Sequence, residues 1–289
     1  MEQRSASTDR LPAGFRLCGR YVLQRQLATT ALSTVYCGFD SETRTLVAIK
    51  RLSTEAQPGG LTRASALRVL EAEGQLLRAI DHPQVPRFYD FVCHGDDYFL
   101  ITEYVAGVPL DALLEEQPPT RTRALAIGRS LCAVVEALHR AGIVHADIKP
   151  GNIIVQPNDR VVLLDFGLAR RAGRPAAVAV AMGTPHYAPP EQRAGAPLDE
   201  RSDIYALGCV LDELFTVGRC AALRQAIAPA LASVPAERFA GVPALRRALG
   251  QAFAAEFGQP ASIHRPLWDA WTIAALLMVL LALAALLLH

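Results

Sequence analysis

The chain has almost no lysine. Of 29 basic residues only Lys50 and Lys149 carry an ammonium, leaving 27 arginines, and asparagine occurs only as Asn152 and Asn158. Nucleotide composition alone can produce such a skew, yet the positions that escape it are worth inspecting, because a planar guanidinium cannot always replace a compact ammonium. A surplus of one charge is lacking too: 29 basic residues face 28 acidic ones, the formal net charge is +1, and there is no basic run. That leaves no electrostatic footprint for nucleic acid, and none is expected as a partner. The six cysteines, at positions 18, 37, 93, 132, 209 and 220, form no C-x-x-C pair. Their spacing disfavours zinc ligation and a disulfide framework, and predicts reduced, buried thiols in a cytosolic body. The opening MEQRSASTDR has no apolar stretch behind its charges, so no secretory signal is read there.

Apolar side chains, by contrast, are abundant. With 289 residues and 51% hydrophobic content the chain can bury one large core or two small ones, which excludes disorder for most of it. Residues 1–17 read as a flexible polar lead. In residues 18–104 the runs YVLQRQL, TVYCGF and TLVAIKRL are short, β-branched and separated by turn residues, as strands are. One helix interrupts them near Arg63 to Ile80, where Leu67, Leu70, Leu77 and Ile80 recur at helical spacing and Asp81-His82-Pro83 ends the pattern. Residues 105–250 are mainly helical. Leu131, Val134, Val135 and Leu138 trace one face of a helix stopping at Gly142, and IIVQP with RVVLLDF suggests a small hairpin. The expected class is α+β: a β-rich lobe, a helical lobe, and a cleft between them.

The end of the chain differs from both lobes. After a linker over residues 251–267, residues 271–288 contain no charge and no proline, and 18 residues at about 1.5 Å each span roughly 27 Å. A transmembrane helix is predicted over 268–288, with Trp268 and Trp271 at its interfacial edge. Arg246, Arg247 and Arg265 precede it and assign the body to the cytoplasmic side, giving a single-pass C-terminal anchor in the inner membrane.

Between the helical face and the hairpin stands His145-Ala146-Asp147-Ile148-Lys149-Pro150-Gly151-Asn152. Asp165-Phe166-Gly167 follows, and Val47-Ala48-Ile49-Lys50 lies far upstream. With these motifs, the stretch from Tyr21 to Leu249 resembles the eukaryotic-type (Hanks-type) Ser/Thr protein kinases of bacteria, in their membrane-anchored branch. The resemblance implies a bilobal fold with a β-rich N-lobe and a helical C-lobe. Phosphoryl transfer suits such residues because the protein must position two reactants and neutralise charge on a moving phosphoryl group.

By the resemblance, Lys50 on the third strand binds the α- and β-phosphates of ATP and pairs with Glu73, preferred to Glu71 because it lies nine positions before His82. Asp147 accepts or orients the proton of the substrate hydroxyl, Lys149 contacts the γ-phosphate, and Asn152 and Asp165 hold Mg2+. Thr102 takes the gatekeeper place and Glu103 to Val105 the hinge, while Val35 and Ala48 sandwich the adenine. Gly183 to Glu191 resembles the close of the activation loop, Asp203 to Gly208 the central C-lobe helix, and Glu191 is expected to pair with Arg238. Both lysines and one of the two asparagines thus fall on functional positions.

Three departures stand out. The Gly-rich phosphate loop reads Ala28-Thr29-Thr30-Ala31-Leu32-Ser33-Thr34-Val35, with Ala28, Thr30 and Ser33 in the glycine places. Ala146 stands where regulated kinases carry arginine, and residues 168–182 hold no Ser, Thr or Tyr, so the usual phosphate-ordered switch is not expected. Only residues 219–234 join the central helix to the Arg238 motif, which shortens the C-lobe. The implied function is ATP-dependent transfer of the γ-phosphate to Ser/Thr of protein substrates. The alternative is a pseudokinase scaffold with little phosphotransfer, and the oligomeric state is left open.

Overall fold

The computed structural model describes residues 11–30, 33–52, 62–173 and 185–257. The N-terminal lobe is an antiparallel sheet of β1 (Arg16–Leu17), β2 (Tyr21–Thr29), β3 (Ser33–Asp40), β4 (Thr45–Leu52), β5 (Phe88–His94) and β6 (Asp97–Glu103), in the order β1-β2-β3-β4-β6-β5. Because strand side chains alternate between faces, Val47 and Ile49 turn into the fully buried core with Leu17, Tyr21, Phe99 and Ile101. Ala48 and Lys50 therefore take the opposite face. Counting the two-residue β1 makes the Lys50 strand the fourth rather than the third. Register sets their neighbours: Ala28 pairs with Val35, Val35 with Lys50, Lys50 with Leu100, and Ala48 with Thr102.

Helix α1 (Arg63–Ala79) covers the sheet, capped by the Thr62 side chain accepting from Ser65 N. Its buried face is Ala66, Leu70, Glu73, Gly74 and Leu77, whereas Leu67 and Ile80 are only half-buried. Leu70 and Leu77 of the expected stripe are buried, and the rest of the face is made by Ala66, Glu73 and Gly74, which an apolar count does not select.

After β7 (Val108–Pro109) the C-terminal lobe runs through α2 (Leu110–Glu116), α3 (Arg121–Arg140), β8 (Ile143–Val144), β9 (Ile153–Val155), β10 (Val161–Leu163), β11 (Arg170–Arg171), α4 (Pro190–Arg193), α5 (Glu200–Val217), α6 (Ala221–Ile227) and α7 (Val242–Phe257). The predicted face of α3 is buried as expected, and Gly142 follows its end at φ 69°, a left-handed turn that suits glycine. The predicted hairpin is β9 against β10. Gly107 holds φ 155°, and a Cβ there would lie 2.5 Å from Ile154 Cγ2, so the chain leaving β6 can press against β9 only with glycine.

Helix α5 is buried on nearly every side and packs against α3 at Gly128, where a Cβ would meet Leu211 and Phe215. Its start is tied to α4: Arg238 Nη1 and Nη2 donate to the two oxygens of Glu191 at 2.7 and 2.8 Å, Ser202 Oγ donates to Glu191, and the Arg238 side chain is fully buried. The expected Glu191–Arg238 pair is therefore present. The short connection 219–234 forms α6 and a single 3₁₀ turn at Ala228–Leu231.

Two expectations are corrected by packing. Residues 11–17, read as part of a loose lead, are anchored: Leu17 is fully buried, and Leu11 and Phe15 pack against the same core. Of the six cysteines, read as buried, Cys37, Cys132, Cys209 and Cys220 are, but Cys18 and Cys93 are exposed. No helix among the described residues is long and apolar enough to cross a membrane; the span predicted over 268–288 lies outside them.

Replacing Arg238 by Met should cost about 3 kcal/mol in urea unfolding, the low end for a broken buried pair because Glu191 keeps 12% exposure. Adding Glu191→Gln should restore part of that loss, since the uncompensated charge disappears.

Candidate functional site

A cavity of about 440 Å³ is lined by both lobes. Its sheet side carries Ala28, Val35, Ala48 and Lys50, its linker side Thr102, Glu103 and Val105, and its C-lobe side Asn152 and Asp165, with Glu73 from α1. Every residue assigned to nucleotide binding except Lys149 thus lines one space. Sequence reasoning missed the apolar floor, Leu100, Ile154 and Leu164. The only signal for Ile154 was its place in a short apolar run.

Lys50 links the parts. Its Nζ donates to Glu73 Oε2 and to Asp165 Oδ1, each at 2.7 Å, joining β4, α1 and the loop after β10. Burial disfavours the Lys50 cation, but Asp165 and Glu73 together raise its pKa above the usual value. Burial also opposes the Asp165 charge, yet the adjacent ammonium pulls its pKa down to about 2. Glu73 is shifted upward, by burial first and then by Asp165, beyond what Lys50 offsets. One cation shared by two carboxylates leaves the more buried partner under-compensated.

Beside the cavity, Asp147, Lys149 and Asn152 form a second cluster. Lys149 Nζ donates to Asp147 Oδ2 at 2.8 Å, and Asn152 Nδ2 donates at 2.9 Å to both the Asp147 backbone oxygen and Oδ2. Neither Asp147 nor Lys149 lines the large cavity; Asp147 borders a smaller hollow with Tyr187, Ala188 and Gln192. Asn152, common to cluster and cavity, joins the two. Because its amide nitrogen is engaged by Asp147, its oxygen is the atom left to serve as a ligand. With the Asp165 carboxylate it supplies two hard oxygen donors to one space, which fits Mg2+ completed by phosphate oxygens and water.

The backbone between these clusters is fixed by a buried carboxylate. Asp203, fully buried near the start of α5, accepts from His145 N and Ala146 N at 2.8 Å and hydrogen-bonds His139 Nε2 at 2.9 Å. The His145 ring accepts from Asp147 N through Nδ1 at 3.3 Å and contacts Leu164 O through Nε2 at 3.1 Å. Its other neighbour is the Phe166 ring, edge-on at 4.8 Å. Ala146 sits at φ 63°, and Gln192 Nε2 donates to its carbonyl at 3.0 Å.

Over the cavity, the glycine-free hairpin is closed by its own hydroxyls. Thr30 N donates to Ser33 O at 2.8 Å, and Ser33 N donates to Thr30 Oγ1 at 3.1 Å. None of Ala28, Thr30 and Ser33 has positive φ, so these three positions do not need glycine for conformation. Two backbone donors of the loop, Thr30 N and Ser33 N, are thus used within the turn. Residues 31–32 and 174–184, including Gly183 and Thr184, lie outside the described residues.

A strand-borne lysine paired with a helical glutamate, two oxygen donors facing one cavity and an aspartate held by a buried carboxylate define the class: residues 21–225 match the protein kinase domain, and the chain belongs to that family. The match ends before the Arg238 motif. Among its relatives, the serine/threonine-protein kinase PknD of Mycobacterium tuberculosis is 34% identical over 212 residues, covering 72% of this chain and 31% of PknD. The serine/threonine-protein kinase pkn2 of Myxococcus xanthus is 37% identical over 207 residues, covering 68% and 24%. PknB of Mycolicibacterium smegmatis is 33% identical over 210 residues, covering 69% and 33%. The chain therefore spans about a third or less of the length of these relatives.

Burial lowers the affinity of His139 for a proton, but the Asp203 hydrogen bond and the acidic residues Glu200 and Asp199 outweigh it, so its pKa stands above the usual value. A raised folded-state pKa contributes stability that is fully present below the unfolded value of about 6.5 and is lost as pH rises through the folded one. The stability gap between the native chain and His139→Gln, measured by urea unfolding, should accordingly be wider near about pH 6 than near about pH 9.

Proposed function

We propose that this chain is an active ATP-dependent protein kinase that transfers the γ-phosphate to Ser or Thr of protein substrates. The observation that carries the reading is the convergence of Lys50, Glu73, Asp147, Lys149, Asn152 and Asp165 on one cavity and its rim. A binding scaffold has no physical need for all six. The names of the relatives, each a serine/threonine-protein kinase, support the same reading.

The roles follow from position. Backbone groups at Glu103 and Val105 read the adenine edge while Val35 and Ala48 pack on its faces. Lys50, oriented by Glu73, neutralises the α- and β-phosphates. Asp147 takes the hydrogen bond from the substrate hydroxyl and orients it for attack, and Lys149 approaches the γ-phosphate from the same side. Magnesium, held by Asp165 and Asn152 when bound, would neutralise charge on the phosphate oxygens. Positioning and electrostatics are the catalytic contributions such a site makes.

The chain works, in this proposal, at the cytoplasmic face of the inner membrane. The uncharged stretch 271–288, the tryptophans before it and the arginines before those support a single-pass anchor.

Lys50→Met and Asp147→Asn should each lower kcat/KM for phosphotransfer to a generic protein substrate by about 10²-fold or more, with unchanged circular dichroism. Mg-ATP should raise the melting temperature of the native chain, and by less once Lys50 is replaced. Full activity in Asp147→Asn would remove that residue from the reaction. Deleting residues 267–289 should move the protein from the membrane pellet to the soluble fraction with ATP binding retained; carbonate-resistant pelleting of the truncated chain would exclude a single C-terminal anchor.

A further inference from the structure

The N-terminal sheet has a seam. Strands β1 and β5 stand at opposite ends of the strand order, and no backbone ladder joins them among the described residues. They nevertheless meet, because the sheet curls around one core: Phe15 beside β1 and Val92 of β5 pack against the same buried cluster. Side chains close the gap. The Phe15 and His94 rings lie edge-on at 5.5 Å, and Tyr21 Oη donates to Asp90 Oδ2 at 3.1 Å.

At this seam stand the two exposed cysteines, with Cys18 Sγ 3.8 Å from the backbone oxygen of Cys93. A carbonyl oxygen lies about 2.4 Å from its own Cα, so the Cys18 sulfur is within about 6 Å of the Cys93 Cα. Cys93 Sγ now faces Gly95 O at 3.3 Å. Bonding would require a change of the Cys93 χ1 rotamer and a shift of the exposed Cys18–Gly19 turn.

We infer that Cys18 and Cys93 are an oxidisable pair whose disulfide staples the two edges of the N-terminal sheet together. The oxidant is a hydroperoxide. It converts one thiolate to a sulfenic acid while its O–O bond breaks. The second thiolate then attacks the sulfenic sulfur, forming the S–S bond and releasing the sulfenic oxygen as water. Two thiols lose two electrons and two protons, and the peroxide takes up both. A low-molecular-weight thiol reverses the step by exchange. In a reducing compartment such a bond is transient, as disulfides are there when they report redox state. The bond would fix the entry to β2, which leads to the phosphate-covering hairpin, to β5, which leads through β6 to the hinge. The four other cysteines are buried and take no part.

The test uses the full chain, purified reduced, exposed to a small molar excess of hydrogen peroxide, alkylated and digested. The expected result is an intramolecular Cys18–Cys93 linked peptide as the main product, with a melting temperature raised by several degrees and restored by dithiothreitol. Cys18→Ser and Cys93→Ser should each abolish both changes. Cys93→Ala serves as the second variant should serine disturb the edge strand. Sulfinic acid at both cysteines without a linked peptide would overturn the inference, as would linked peptides found only in dimers on a non-reducing gel.

Discussion

One ammonium held between two carboxylates organises the site. Lys50 reaches Glu73 on α1 and Asp165 in the loop after β10, so three separate elements of the chain meet at a single charge. Burial opposes all three charges, and each carboxylate and the ammonium offset that cost for one another. The pair-plus-one arrangement leaves Glu73 under-compensated, and an anionic ligand entering the cavity would compete for the same cation. A site that is satisfied but not sealed in the absence of ligand can exchange its internal partners for substrate at modest cost.

A second buried charge does the complementary work on the backbone. Asp203 spends its oxygens on two consecutive N–H groups of the segment that carries Asp147, and on His139. Hydrogen bonds to an ionised acceptor in a dry interior are strong, and they hold Ala146 at a positive φ that alanine would not choose. The aspartate at 147 is thereby aimed by a group that never touches the cavity. Glu191 and Arg238 repeat the device one layer out, tying α4 to α5.

Much of this was readable beforehand, for physical reasons that differ by element. The strands around Val47 to Lys50 and the face of α3 declared themselves through periodicity, since burial on one side imposes it. Glu73 is separated from Glu71 by the resemblance to the kinase motif pattern rather than by periodicity, and it is the buried one. What stayed hidden depends on contacts distant in sequence. Nothing local to Leu17 or Cys93 says that the first and fifth strands meet, and nothing in the Ala28 to Ser33 segment reveals that two hydroxyls would close the turn. The floor residues Ile154 and Leu164 look like any core residues until the cavity is seen.

The hairpin above the cavity has lost the residue type that gives such loops their freedom. Glycine gives up more conformational entropy on ordering than any other residue. With Ala28, Thr30 and Ser33 in place of three glycines, and Thr30 bonded to Ser33 on either side of the tip, much of that ordering is completed when the domain folds. The two strands are therefore already joined at Thr30 and Ser33, and the entropy cost of ordering those positions falls on folding rather than on the binding of a ligand.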